Sequence, residues 1–216
     1  MTATPPRKRG HKLRWTLIVL GALVLGALLD LYAPVRADLR DFDPRALARL
    51  DTAMWRAYDA KKPIPLFFDL AQLMREQFHF PFLRSFQGAF YAARAGLVFK
   101  RSHGAGDYEE VLPDLRAYFG GIRKISKTGF DAYRTAELEL QWWIVHRERG
   151  LEDQDSLART VAAAAAELYR VPAASLEKYG RKRAEAMAIR DYQAGHGCVT
   201  EQGLGTDQRF ARRLVA

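Results

Sequence analysis

The 216-residue sequence contains a single cysteine, Cys198, and this scarcity excludes several kinds of site. One thiol cannot form a disulfide within the chain, and it cannot supply a Cys-x-x-Cys redox pair, a haem attachment motif or a zinc cage. His196 precedes Cys198 by two residues. An enzyme that uses this pair, or a metal half-site completed by ligands from elsewhere, stays open beside a structural or peripheral role.

Short motifs of the common enzyme classes are also absent. The sequence has no phosphate-binding glycine loop of the Walker or Rossmann type, no Gly-x-Ser-x-Gly elbow and no His-Glu-x-x-His. One Glu-x-x-His pair, Glu76 and His79, is present, but a di-iron bundle needs two such pairs and two more carboxylates. These absences favour a protein that is not an enzyme without excluding one, and we predict no metal site and no cofactor.

The net charge of +9 is distributed unevenly and does not form a basic face. Residues 1–37 contribute +5, residues 38–169 are neutral with 19 basic and 19 acidic side chains, and residues 170–216 contribute +4. The cluster Arg181, Lys182 and Arg183 points in different directions around a helix, which favours a solvated surface. Nucleic-acid recognition requires a basic face with reading groups, so we predict no nucleic-acid partner.

The N-terminal excess of positive charge precedes a long apolar segment. No residue from Trp15 to Leu29 is charged, and Asp30 alone interrupts the apolar run 15–33. About 20 apolar residues span a bilayer as a helix, and aromatic rings such as Trp15 and Tyr32 favour its two interfaces. The sequence therefore predicts a transmembrane signal anchor over residues 15–33. Within it, Ala22 and Gly26 form a small-xxx-small pair that allows helix pairing, so a homo-oligomer stays open.

Flanking charge predicts the orientation. Five Lys/Arg and no acid lie in residues 1–14, which the positive-inside rule assigns to the cytoplasm. We therefore expect a single-pass protein of a bacterial-type inner membrane, with an extracytoplasmic, periplasmic domain. The alternative is a secretory signal cleaved after the sequence "VRA" that ends at Ala37. Both interpretations export the domain.

The remainder of the chain has helical periodicity nearly throughout, and no stretch has the pattern of a strand. We predict an all-α fold, either a helical bundle or a short stack of helical hairpins, of about seven helices. The predicted divisions are a linker at 34–43, a helical domain at 44–193 and a polar tail at 194–216. Asp43 and Pro44 mark the first helix start. Pro113 is expected to kink the predicted helix that contains it or to shorten the first turn of that helix.

Residues 81–101 form the most apolar predicted helix outside the anchor. Its expected core stripe includes Phe82, Phe86, Ala89, Phe90 and Leu97, and its small residues predict close approach of a neighbouring helix. The stretch from Phe82 to Ile122 resembles one tetratricopeptide hairpin. Because no second copy follows at a fixed period, the sequence does not establish a repeat array.

The most informative candidate site lies in "ELELQWWIVHRE". Glu139, Trp142, Trp143 and His146 have helical spacings of three and four, so they lie near one face of a helix. This face is typical of a core or partner interface with an internal Glu–His hydrogen bond, and also of a ligand pocket, where a few polar groups lie among aromatic rings.

We therefore expect a membrane-anchored helical binding or scaffold protein. It would serve as an accessory or assembly subunit for another membrane or envelope protein, with the lipid bilayer contacted through residues 15–33. The alternative is a sensor or carrier of an apolar or aromatic ligand. The third hypothesis is an enzyme that uses Cys198 and His196, or a His/Glu site.

Overall fold

The computed structural model describes residues 9–148 and 153–195, and His196 and Cys198 lie outside these ranges. Across the described ranges all regular elements are helical, which confirms the all-α prediction. The helices are α1 Arg9–Tyr32, α2 Pro44–Asp59, α3 Pro63–Phe78, α4 Phe82–Arg101, α5 Ala105–Tyr108, α6 Leu112–Ile125, α7 Ala132–Glu148, α8 Gln154–Tyr169 and α9 Glu177–Gly195. In the described chain, α1 has 24 residues and α5 has only four. The seven other described helices are all longer than α5, with 14 to 20 residues each.

Two helix starts follow from local sequence. Asp43 caps α2, where its side chain accepts a hydrogen bond from the backbone N–H of Arg45, and Pro44 occupies the first turn. Pro113 does not kink a helix, because α6 begins at Leu112 and the proline lies in its first turn. That position costs no hydrogen bond, since the first N–H groups of a helix have no intrahelical partner.

The seven longer helices pack in chain order, each against the next, as successive antiparallel hairpins. Alternate helices α2, α4, α7 and α9 therefore run in the same direction, and their side chains meet. A core of buried aliphatic and aromatic residues lies between the packed helices, with Met74, Val111, Ile122 and Phe130 among its members. Hydrophobic burial of this kind is the main contribution that holds such a bundle together.

The alanine-rich helix α8 allows α9 to approach closely, as its small residues predict. A Cβ atom added at Gly180 of α9 would lie 2.2 Å from the backbone oxygen of Ala158 and 3.1 Å from the Cβ of Ala162. Ala158 and Ala162 are themselves buried. The contact therefore requires glycine on one helix and alanine on the other.

Helix α4 is turned the opposite way from the expected orientation. Its fully buried residues are small or polar: Ser85, Gly88, Ala89 and Ala95. Of the expected core stripe, Ala89 is buried, but Phe82, Phe90 and Leu97 are 58%, 49% and 55% exposed. The physical reason is close packing against α3, since a Cβ at Gly88 would lie 2.9 Å from Sδ of Met74. Only the small face of α4 fits there, so its aromatic face is left outside.

The predicted linker at residues 34–43 is docked against the helical domain. Ala37 bridges to the segment after α6: its N–H donates to Ile125 O at 2.9 Å, and its carbonyl accepts from Lys127 N–H at 2.9 Å. Leu39 is fully buried in the core. Arg40 donates through Nη2 to the carbonyl oxygen of Tyr169 at 2.7 Å, at the end of α8. Sequence alone does not predict these contacts, because every partner is distant along the chain.

The last turn of α1 is joined to the start of α4. The Oδ1 of Asp30 accepts a hydrogen bond from Leu83 N–H at 2.9 Å, and Arg84 donates through Nη2 to Ala33 O at 2.8 Å. Asp30 therefore caps α4, whose own preceding residue, Pro81, makes no side-chain cap. The rest of α1 extends away from the domain. Residues Lys12–Tyr32 contain an 18-residue window with a mean hydropathy of 2.0, and they are long and apolar enough to cross a membrane, a property that signal sequences share.

Candidate functional site

Helix α7 turns the predicted site residues toward the interior. Trp143 packs against the main core, and Trp142 packs against a smaller cluster that contains Leu157 and Met187. The two indole rings lie 6.1 Å apart in an edge-to-face arrangement, a favoured geometry for aromatic pairs. Each indole is therefore partly buried and packs against other side chains of the protein itself.

Glu139 lies among aromatic side chains and bonds to one of them. Its Oε1 accepts a hydrogen bond from Trp143 Nε1 at 3.0 Å. Burial raises the pKa of Glu139, and the opposing effects of the tryptophan N–H groups and of the Arg183 charge do not cancel the rise. Burial also raises the pKa of the Tyr118 phenol, and the charge on Glu139 adds to that rise.

His146 does not bond to Glu139, so the expected internal Glu–His hydrogen bond is wrong. Its Nε2 lies 2.9 Å from Oδ2 of Asp191 in α9. Arg190 donates to the other carboxylate oxygen of Asp191 at 2.7 Å. Partial burial would raise the pKa of Asp191, but the hydrogen bonds from His146 and Arg190 outweigh burial and hold it at about 2. Helical spacing places Glu139 and His146 near one face, but the length of two turns separates them.

Side chains of α9 also contact residues of α2. The Arg183 guanidinium makes two hydrogen bonds to the Asp51 carboxylate, one of them from Nη2 to Oδ1 at 3.1 Å. The Arg190 guanidinium carbon lies 3.9 Å from the centre of the Trp55 ring. Helices α2 and α9 are not close-packed neighbours, so these long side chains span the space between them. We name the six residues that meet here the α2–α9 junction: Asp51, Trp55, His146, Arg183, Arg190 and Asp191.

The junction is polar and only partly covered. Between 22% and 34% of the side-chain surface stays exposed to solvent in Asp51, Arg183, Arg190 and Asp191. The His146 side chain is 21% exposed. Burial lowers the pKa of Arg183, but the charge of Asp51 more than offsets this and raises it, so the arginine stays charged. The junction is therefore a partly exposed group of charged side chains that pair with one another.

The neighbouring contact between α7 and α4 is aromatic and cationic. Trp143 lies 5.3 Å from the ring centre of Phe99 in α4. The Arg147 guanidinium lies 3.6 Å over Phe99 and donates through Nη1 to Ser102 O at 2.9 Å. On the other side of α4, Lys100 Nζ lies 5.8 Å from the ring centre of Tyr58 in α2. Side-chain contacts therefore link α2, α4, α7 and α9 into a closed ring.

The other predicted candidates have structural roles or lie outside the described chain. His79 ends α3 with a positive φ of 56°, and its Nε2 lies 2.6 Å from Asp41 O, so the ring holds the docked segment. Within residues 9–148 and 153–195, no three His, Cys, Asp or Glu side chains are arranged to hold a metal ion. His196 and Cys198 fall beyond α9 and are not described.

A separate open cavity of about 490 Å³ lies on the outer side of α7 and α8. Arg134, Leu138, Glu167 and Arg170 are among its lining residues. Arg170 already pairs with Glu167 at 3.1 Å. None of the four predicted site residues lines this cavity, so it gives no support to a ligand pocket at the tryptophans.

Sequence reasoning missed five of the six junction residues as site residues: Asp51, Trp55, Arg183, Arg190 and Asp191. Arg183 belongs to the basic cluster predicted to be solvated, and its two neighbours are indeed on the surface: Arg181 pairs with Glu177 at 3.6 Å, and Lys182 with Glu185 at 2.9 Å. No local signal separates Arg183 from them, since its partner is 132 residues away.

Comparisons with protein-family models, with curated proteins and with solved structures find no match. The fold therefore defines the class only as an all-α protein with one N-terminal apolar helix.

Proposed function

We propose that the protein is a single-pass membrane protein whose extracytoplasmic helical domain works by binding. Its partner is another membrane or envelope protein, for which this chain is an accessory or assembly subunit. The observation that carries the proposal is the α2–α9 junction, where Arg190 covers Trp55 in a partly exposed seam between two helices that do not pack closely. Tryptophan and arginine are the residues most enriched among the energetic centres of protein interfaces.

The retained anchor has its own support. Cleavage after Ala37 would remove Asp30, which caps α4, and Ala33, which accepts a hydrogen bond from Arg84. It would also remove the pairing of Ala37 with Ile125 and Lys127. Because the domain uses residues on the N-terminal side of that site, a retained helix fits the contacts better than a cleaved signal does.

The anchor also helps the proposed binding energetically. Tethering a domain to a membrane raises its effective concentration near membrane partners, so a modest surface suffices for association. The ligand-carrier alternative has less support, because both indoles of its predicted site are packed against the protein's own clusters.

Purification from native membranes tests this function. The full chain is extracted in mild detergent, and co-eluting proteins are identified for the wild type and for Trp55→Ala. Tyr133→Ala is the matched control, since Arg116 lies 5.1 Å over the Tyr133 ring outside the junction. We expect a defined partner that the wild type and the control retain and that Trp55→Ala loses. Elution of the wild type without any partner would contradict the proposal.

A further inference from the structure

An exposed aromatic surface lies beside the end of the anchor helix. Its members, here named the aromatic patch, come from α3 and α4: Ile64, Phe67, Phe68, Phe82 and Phe86. Ile64, Phe68 and Phe82 are 69%, 56% and 58% exposed. Such a contiguous apolar surface on a folded domain marks a contact with another apolar phase.

The rings of the patch form one connected group. Phe86 is its centre, with ring centroids 5.1 Å from Phe82, 6.1 Å from Phe67 and 5.9 Å from Phe68. The Arg75 guanidinium lies 5.5 Å from the ring centre of Phe82 and 5.9 Å from that of Phe86. The patch is therefore an ordered surface, fixed by stacking and by a cation, and not a set of scattered side chains.

The position of the patch follows from the cap on α4. Asp30 holds the N–H of Leu83, the residue next to Phe82, at 2.9 Å. The apolar stretch of α1 ends at Tyr32, and about 20 residues of helix reach across the hydrocarbon core. Phe82 is therefore fixed at the level where α1 leaves the bilayer.

The basic side chains near the patch also fit a position at the membrane surface. Arg75 lies over the rings, and Lys61 and Lys62 are exposed immediately before Ile64. Aromatic rings and basic side chains together are typical of the headgroup region, where the rings enter the boundary and cations meet lipid phosphates. Asp69 is the acid on α3 beside Phe68, and burial raises its pKa, which lowers the cost of placing it near lipid.

We infer that the aromatic patch is a second membrane contact, which inserts into the outer headgroup region and holds the domain against the bilayer that α1 crosses. This inference rests on the proposed membrane anchoring, but not on the identity of the protein partner. With two contacts, one through α1 and one through the patch, the domain takes a fixed orientation at the surface.

Spin-label accessibility in vesicles tests the inference. The full chain, with Cys198→Ala, is labelled at Phe68→Cys or, as the control, at Arg159→Cys on the exposed side of α8. Each protein is reconstituted in phosphatidylcholine–phosphatidylglycerol vesicles without other proteins. At position 68 we expect accessibility to a water-soluble nickel reagent severalfold lower than at position 159, and accessibility to oxygen severalfold higher.

Water-like accessibility at position 68 would overturn the inference, and so would equal protection at both positions. Spin–spin broadening that grows with the protein-to-lipid ratio would show that a second copy covers the patch, which also overturns it. A labelled chain that still co-purifies its partner from native membranes would leave the proposed function in place. The experiments therefore distinguish a patch that does not contact the membrane from a domain that does not bind a protein partner.

Discussion

Arg183 of α9 and Asp51 of α2 form an ion pair that joins the last helix of the domain to the first across 132 residues of sequence. About a quarter of each side chain remains exposed, so water screens the pair only in part. Removing one partner would leave the other charge half-buried, and the cost of an uncompensated buried charge exceeds the worth of the pair itself.

The Asp51→Ala variant is therefore expected to lower the free energy of unfolding by roughly 1–3 kcal/mol. Denaturant unfolding of the full chain in detergent, followed by tryptophan fluorescence, measures this change. The Arg181→Ala variant is the control, because Arg181 pairs with Glu177 on the same helix at the surface. It is expected to change stability by less than about 0.5 kcal/mol. Equal effects of the two variants would contradict a supporting role for the junction.

Glycine at position 180 sets the distance between α8 and α9. A Cβ there would lie 2.2 Å from the backbone oxygen of Ala158, and backbone cannot move aside without shifting the helix. Gly180→Ala is expected to lower stability by about 1–3 kcal/mol through overpacking. Gly96→Ala on α4 meets nothing within 4 Å and is expected to raise stability by about 0.5–1 kcal/mol. Thermal unfolding of both variants shows whether each substitution raises or lowers stability. A Gly180→Ala variant that is more stable than the wild type would refute the close contact.

The Glu139 carboxyl is expected to cost stability at neutral pH. Burial raises its pKa above the ordinary value of 4.5, so folding favours the protonated form. The stability of the fold therefore falls as pH rises from about 4.5 through the raised pKa. Glu139→Gln keeps an oxygen that accepts from Trp143, and we expect it to be more stable than the wild type at pH 7, with a smaller difference at pH 4.

Unfolding curves at both pH values measure this effect. Glu137→Gln is the control on the same helix, since the Glu137 side chain is 45% exposed and pairs with arginines at 3.5 Å and 3.8 Å. Its difference from the wild type is expected to vary little with pH. Lower stability of Glu139→Gln at pH 7 than of the wild type would show that Arg183 stabilises the carboxylate more than burial opposes it.

Loss of the Asp30 cap is expected to loosen the junction between α1 and α4. Asp30→Ala removes the acceptor for Leu83 N–H, at a cost of about 1 kcal/mol for a helix cap. Hydrogen exchange should quicken at the amides of Leu83 and Arg84 and stay unchanged at α2. Asp43→Ala, which removes the cap of α2, should give the reverse pattern. Unchanged exchange at Leu83 in Asp30→Ala would contradict the attachment of α4 to α1.

The sequence predicts the helical class and the local starts because those depend on neighbouring residues. Asp43 and Pro44 act within a single turn, and α2 begins at the position that they predict. The aromatic stripe of α4 was assigned to the core, because apolar periodicity states which residues share a face and not which face the fold buries. The close approach of α3 at Gly88 decides that question.

Contacts between residues that are distant in sequence limit how much of the candidate site can be predicted. Helical spacing places Glu139, Trp142, Trp143 and His146 near one face of α7, and in the structure the two indoles of this group pack against the core clusters. It assigns the wrong partner to His146, since Asp191 comes from a helix 45 residues later. The aspartate in the anchor segment reads as an interruption in sequence, and its capping role becomes visible only when α4 is beside it.

Photocrosslinking in native membranes tests the central claim, that the domain binds a membrane or envelope protein at the α2–α9 junction. A photoreactive benzoylphenylalanine replaces Tyr58, a 47% exposed residue of α2 one turn beyond Trp55, or replaces Tyr133 as the control. We expect one defined crosslinked protein from position 58, lost when Arg190→Ala is added, and none from position 133. No crosslinked protein at position 58, or the same product at both positions, would contradict it.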